Sequence, residues 1–289
     1  MTEIVSKDSK TLIGPKVCLM GLSGTGKSYA LGTLAEWCDR NSFELAILYT
    51  ENSLETFLGY FRDKGREPPA CVYWHQQFTR PLSLKKLLDN ADITGKLTYE
   101  GLTKSVDGNR SGDNNAFMQI LKTCSDFHDD RTGKVLGPLD LFPPTRIFAI
   151  DSLTELGNAA MKMQIGGRPT AAQQDYMVAQ NHLINFLRLV TQGIDCPFVM
   201  TAHVDRIEDA VSQTTKTMIK AIGRALSTDI PTLFSDVIYC VRNGDKFSWD
   251  TAAYGVDVKT RSLGYRSGIS PDFALIFDVW AKRAGLAAK

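Results

Sequence analysis

The sequence predicts an α/β fold: a mostly parallel central sheet flanked by helices, with late antiparallel strands and an inserted segment. Three observations carry this. Apolar runs of strand length recur at residues 17–20, 43–50, 70–75, 146–150 and 197–202. Several of these runs are separated by longer stretches whose apolar residues fall at helical spacing. A glycine-rich segment, Gly21-x-x-x-x-Gly26-Lys27-Ser28, follows the first run directly and leads into the first helical stretch. Alternating strands and helices in one chain favour a parallel sheet with helices on both faces.

The elements follow in order. Residues 1–15 are a short lead-in closed by Gly14-Pro15, and a single domain is expected over 16–283. Residues 17–20 (VCLM) are uniformly apolar, as in a strand buried on both faces. A helix is expected over 29–38, then a strand over 43–50 (FELAILYT) with Glu51 at its end. Ser53 opens a helix to about Lys64, and Gly65 stops it. Residues 70–75 (ACVYWH) read as the third strand. Between 76 and 145 the alternation breaks. This stretch is too long for a simple connection and is expected to be an insertion. It offers a short helix over 83–90 and a polar stretch over 95–115. An amphipathic helix over 115–127 places Phe117, Ile120, Leu121, Cys124 and Phe127 on one side.

Residues 146–150 (RIFAI) are the next strand, with Asp151 at its end and a helix over 152–163. Ser152 and Glu155 have capping-box spacing, as do Thr170 and Gln173, which open a helix running to Gln192. Residues 197–202 (PFVMTA) form a strand ending at His203, and 204–223 are polar without a clear period. A short helix over 228–234 and strands over 237–241, 246–249, 255–261 and 273–279 complete the expectation.

The chemistry starts at the glycine-rich turn. A polyphosphate needs several backbone N–H groups turned toward it, and side chains would block that approach. Gly21, Leu22, Ser23, Gly24, Thr25, Gly26, Lys27, Ser28 and Tyr29 are therefore the candidate cradle for a nucleoside triphosphate. Lys27 supplies a point charge to the β- and γ-phosphates, and Ser28 a hydroxyl ligand for Mg²⁺. Residues just past the carboxyl ends of parallel strands converge on the ligand crevice. Glu51, Asp151 and His203 hold that place. Asp151 is expected to help hold Mg²⁺, Glu51 to polarise a water, and His203 to sense the γ-phosphate.

With 33 basic and 32 acidic residues the net charge is +1, which excludes a global basic field and leaves any nucleic-acid contact to local patches. No apolar run approaches the ~18 residues of a membrane span, and the start of the chain is polar. No membrane partner is expected, and a cytoplasmic setting is. The six cysteines include no Cys-x-x-Cys pair, which favours free thiols. The repeated Cys71-x-x-x-His75 and Cys124-x-x-x-His128 leave a zinc site as an alternative.

In this order GLSGTGKS, ILYTEN, IFAIDSL and FVMTAH resemble the core motifs of RecA-like ATPases. AIDSLTEL, TAHVDR, GRALSTDIPTLFSDV and VKTRSLGYRSG are similar to segments of phage- and prophage-encoded RecA-like ATP-binding proteins, some of which act in single-strand annealing or recombination. The likeness covers about residues 15–280. It implies ATP and Mg²⁺ as ligands, ATP hydrolysis with Glu51 as base, and action on single-stranded DNA inside a bacterial host cell. It implies assembly of identical subunits into a hexamer, ring or filament. Lys259 and Arg261, a basic-x-basic pair on a late strand, would then reach the γ-phosphate held by the neighbouring subunit. The family's two DNA-contacting loops fall on residues 164–170, with Arg168, and 204–223, whose basic end brings Lys216, Lys220 and then Arg224. Two other readings stand beside this one: a nucleotide-gated assembly factor with little turnover, working through the insertion, and a helicase- or packaging-type motor.

Overall fold

The computed structural model describes residues 13–78, 84–85, 88, 91–92, 116–166, 171–209 and 214–286. Seven strands make one sheet in the order β11-β10-β1-β7-β6-β2-β3. They are β1 (Lys16–Met20), β2 (Glu44–Tyr49), β3 (Val72–Gln76), β6 (Arg146–Asp151), β7 (Phe198–Ala202), β10 (Asp236–Asn243) and β11 (Lys246–Asp250). All neighbours are parallel except β10 and β11, which form a hairpin. This is the predicted fold class.

Strand alternation splits the core into two layers. Val17 and Leu19 of β1 and Leu45 and Ile47 of β2 face one layer; Cys18, Met20, Ala46 and Leu48 face the other. The first layer is covered by α1 (Lys27–Asn41), α2 (Leu54–Arg62) and α7 (Ala274–Arg283). The second is covered by α3 (Ala116–Ser125), α4 (Leu153–Ile165), α5 (Gln173–Arg188) and α6 (Arg224–Leu233).

The part of the insertion that is described belongs to this core. Helix α3 buries Phe117, Ile120 and Cys124 in the second layer, and Phe127 of the short hairpin β4 (Phe127–His128) and β5 (Val135–Gly137) joins them. Asp129 fixes that hairpin to the sheet edge. It is buried, and its carboxylate accepts the amides of Trp74 and Thr132, each at 2.8 Å. The helix expected over 83–90 falls mostly on residues outside those described.

Four local expectations are corrected. Residues 273–279 are helical, not a strand: Phe273, Ile276, Phe277, Trp280 and Ala281 bury one face at i, i+3, i+4, i+7 and i+8. The apolar run there is short enough for the two periods to be confused. Residues 255–261 form no strand; they meet strand residues by two isolated bridges, Thr217–Val256 and Val237–Lys259, in place of a ladder. The polar stretch after β7 is a separate hairpin of β8 (Val204–Asp209) and β9 (Thr214–Ile219). The hydroxyl of Ser152 does not cap α4, and Glu155 bonds Asn158 at 2.9 Å instead of closing a box. Thr170 lies outside the described residues; at the start of α5, Asp175 accepts the amide of Ala172 at 2.7 Å.

Asp236, fully buried at the start of β10, explains why 255–261 leaves the sheet. It accepts the backbone amides of Arg261 and Ser262 at 2.8 and 3.0 Å, and the hydroxyls of Thr260 and Ser235 at 2.9 and 2.8 Å. These bonds turn the chain rather than extend a ladder. Asp236→Ala would strip the acceptor from several part-buried donors and is expected to cost about 2–3 kcal/mol, read as a lowered urea midpoint. A midpoint equal to wild type would show that the turn holds without the carboxylate.

Candidate active site

The site is built where β1 ends. Gly21 leaves the strand with its amide bonded to the carbonyl of Ala202, 3.1 Å away at the end of β7. No side chain fits there: a Cβ on Gly21 would lie 2.7 Å from both the Cys240 carbonyl and the Thr25 hydroxyl. Gly24 and Gly26 adopt φ of +74° and +81°, which L side chains rarely accept. Residues 21–26 then deliver the chain into α1, whose amino end is oriented for an anion.

Lys27 is buried, and its Nζ donates to the carbonyls of Gly21 and Leu22 at 3.0 and 2.9 Å. Burial pushes its pKa down, while the carboxylates of Asp151 and Glu51 act in the opposite direction. The ammonium is thus held across the loop, facing the two acids that the sequence singled out.

Those acids stand at the ends of β6 and β2, beyond β7 in the sheet. Asp151 ends β6 and is fully buried. One oxygen accepts the hydroxyl of Thr201 on β7, and the other, Oδ2, is buried without a partner of hydrogen-bonding geometry. Burial raises its pKa, and the nearby hydroxyls of Ser28, Thr201 and Ser53 pull it back. A buried carboxylate with one oxygen left without a partner, and the Ser28 hydroxyl near that carboxylate, are hard oxygen donors, so these two residues fit as part of a Mg²⁺ shell.

Glu51 sits two residues beyond β2. Its Oε2 accepts the Ser152 hydroxyl at 3.1 Å and lies 3.4 Å from Nε2 of His203. Burial alone would raise its pKa; His203, Ser152 and Lys27 together outweigh that and hold it below the usual range. The hydroxyl of Thr50 accepts the Ser152 amide and donates to the Ser152 carbonyl, both at 2.9 Å, which locks the ends of β2 and β6 together. His203 is placed by its own amide, which donates to the Thr154 hydroxyl at 3.1 Å.

Lys27, Ser28, Glu51, Asp151 and His203 therefore share one crevice; of the supporting residues, Thr50, Thr154 and Thr201 were not singled out from sequence, and Ser152 was read only as a helix cap. The signal for Thr201 was present: a polar residue inside the otherwise apolar run 197–202.

The remaining candidates lie elsewhere. Lys259 is level with Val237, which pairs with Cys18, three residues or ~10 Å down the sheet from Gly21. Its Nζ bonds the Thr232 carbonyl at 3.4 Å. Arg261 lines a cavity of about 310 Å³ at the amino-terminal end of the sheet, with Lys16, Asp236 and Arg283, away from the glycine-rich loop. Lys216 pairs with Asp257 at 3.0 Å, and Lys220 lies 3.9 Å from Asp205, so the basic surplus read from 212–224 is partly neutralised by acids before and after it. Arg224 is exposed at the start of α6. Arg168 lies outside the described residues.

Among the described residues no group of three or more metal-ligating side chains gathers. The two Cys/His pairs accordingly make no zinc cluster, and His75 and His128 pair instead with Asp130 and Asp126, each at 2.8 Å. All six cysteines are free thiols. No described helix is long and apolar enough to cross a membrane.

No family model matches the chain, and no curated protein matches it. Among solved structures it is similar to a prototypical ATPase from the type III secretion system of pathogenic bacteria, with 12% identity and a TM-score of 0.38 over 80% of this chain and 53% of that one. It is also similar to the assembled ATPase EscN, in complex with its central stalk EscO, from the enteropathogenic E. coli type III secretion system. There the identity is 12% and the TM-score 0.42, over 87% of this chain and 48% of that one. The chain spans about half the length of these two proteins.

Proposed function

We propose that the protein binds ATP with Mg²⁺ and hydrolyses it. The observation that supports this best is the meeting of Lys27, Glu51, Asp151 and His203 at the carboxyl ends of β1, β2, β6 and β7. A structural role for the glycine-rich turn would explain Gly21, Gly24 and Gly26 but would leave Asp151 with an orphaned buried oxygen.

In the proposed reaction the loop amides and Lys27 hold the triphosphate. Ser28 and Asp151 would hold Mg²⁺, which would supply charge neutralisation to the phosphates. Glu51, ionised at neutral pH, accepts a proton from a water as that water's oxygen bonds to the γ-phosphorus. The bond from the γ-phosphorus to the bridging oxygen breaks, and ADP and phosphate leave. His203 contacts Glu51 on one side; its backbone carbonyl accepts the Lys220 amide at 2.8 Å, and the β8–β9 hairpin begins with the next residue. Loss of the γ-phosphate can thereby reach that hairpin.

Lys259 and Arg261 are too far down the sheet for their own loop, so their proposed role is in trans, on the nucleotide of an adjacent copy in a ring or filament. Single-stranded DNA as the partner of the hairpin rests on the family resemblance and on Arg224. Phosphate turnover measured across protein concentration, with and without single-stranded DNA, tests both points. Turnover per subunit is expected to rise with concentration and with DNA. A rate independent of concentration would remove Lys259 and Arg261 from the site. A rate indifferent to DNA would favour a nucleotide-gated assembly factor.

A further inference from the structure

The order of the strands gives the site a direction. The acids and His203 stand on β2, β6 and β7, to one side of β1; β10 and β11 stand on the other. The outer phosphates belong with Lys27 and the acids, and the loop amides cradle the inner ones. The sugar and base must therefore leave toward the start of α1 and the β10–β11 hairpin.

An aromatic pair waits there. Phe247, on β11, packs against the loop itself: a Cβ on Gly26 would lie 3.0 Å from its ring. It is 38% exposed. Tyr29, two residues after Lys27, presents its ring 6.5 Å from that of Phe247, centroid to centroid, and 26° from parallel. A planar ring stacked on both sides at van der Waals distance needs a gap of ~7 Å. Neither ring is loose. Tyr29 is braced edge-on by Tyr60 at 4.9 Å and bonds Asp63 at 3.3 Å. Phe247 has its cross-strand partner Arg242 over its ring at 5.6 Å, and that guanidinium is fixed by the Gly244 carbonyl at 2.8 Å.

We infer that Phe247 and Tyr29 form the nucleobase-binding site of this protein, stacking the base of the bound triphosphate beside the phosphate loop. The inference rests on the phosphate-loop reading above. It adds Phe247, on an element none of the proposed phosphate chemistry uses, as the residue that distinguishes a nucleotide from a bare polyphosphate. Stacking requires a π face and tolerates any base.

The test compares Mg²⁺-dependent binding of ATP and of inorganic tripolyphosphate by calorimetry, in wild type, Phe247→Ala, Phe247→Leu and Phe247→Tyr. The leucine variant keeps apolar bulk against Gly26 and covers the case that alanine disturbs folding. Alanine and leucine are expected to weaken ATP binding about tenfold or more while leaving tripolyphosphate within about twofold. Tyrosine is expected to bind ATP as wild type does. Undiminished ATP binding in the leucine variant, or an equal loss for both ligands, would overturn the inference and leave the phosphate loop standing. A wild-type protein that binds neither ligand would overturn the phosphate-loop reading as well.

Discussion

Glu51→Gln is expected to bind ATP at near wild-type affinity and to hydrolyse it about two to four orders of magnitude more slowly. Glutamine has nearly the same shape and keeps an acceptor for the Ser152 hydroxyl, so the ends of β2 and β6 stay joined. It cannot take a proton from water. The ionised state of Glu51 gives a second readout. His203, Ser152 and Lys27 hold its pKa below the ordinary glutamate value against the opposing effect of burial. The rate of the wild-type enzyme should therefore be insensitive to Glu51 ionisation through neutral pH and fall only in acid, as the pH drops through that lowered pKa. The glutamine variant should lack this acid limb. Wild-type turnover in Glu51→Gln would remove the residue from the mechanism.

Lys27→Ala is expected to weaken ATP binding at least about a hundredfold, because it deletes one member of a buried, hydrogen-bonded charge pair with the phosphates. The fold should tolerate the change. The ammonium lies in a site whose burial lowers its pKa, so its removal relieves an unfavourable charge and leaves two carbonyls that accepted from it. Thermal unfolding separates the two effects. The ligand-free variant should melt near wild type, and the rise in melting temperature on adding ATP and Mg²⁺ should vanish. A preserved ligand-induced rise would reject the phosphate-loop assignment.

These expectations draw on residues of two kinds. Lys27, Ser28, Glu51, Asp151 and His203 could be picked from sequence because parallel strands announce themselves as apolar runs, and the residue past each run has a fixed place in the crevice. Ser152 shows the limit of that approach. Its spacing to Glu155 matched a local cap, yet its hydroxyl goes to Glu51, which lies 101 positions away in the chain. A local pattern cannot register a competing partner brought in by the sheet. The expected strand over 273–279 failed for a related reason. Its apolar positions admitted either period, and only packing against α1 and β11 decided for the helix.

The sequence alone determined which segments are strands of the parallel core, where the glycine-rich loop stands and which acids lie at the neighbouring strand ends, since each of these follows from spacing along the chain. The tertiary structure alone decided the order of strands around β1. That order places the acids on one flank and Phe247 on the other, and sets Lys259 ~10 Å down the sheet from the loop. Strand order is written in no local periodicity; it emerges when both apolar layers of one sheet are buried at once.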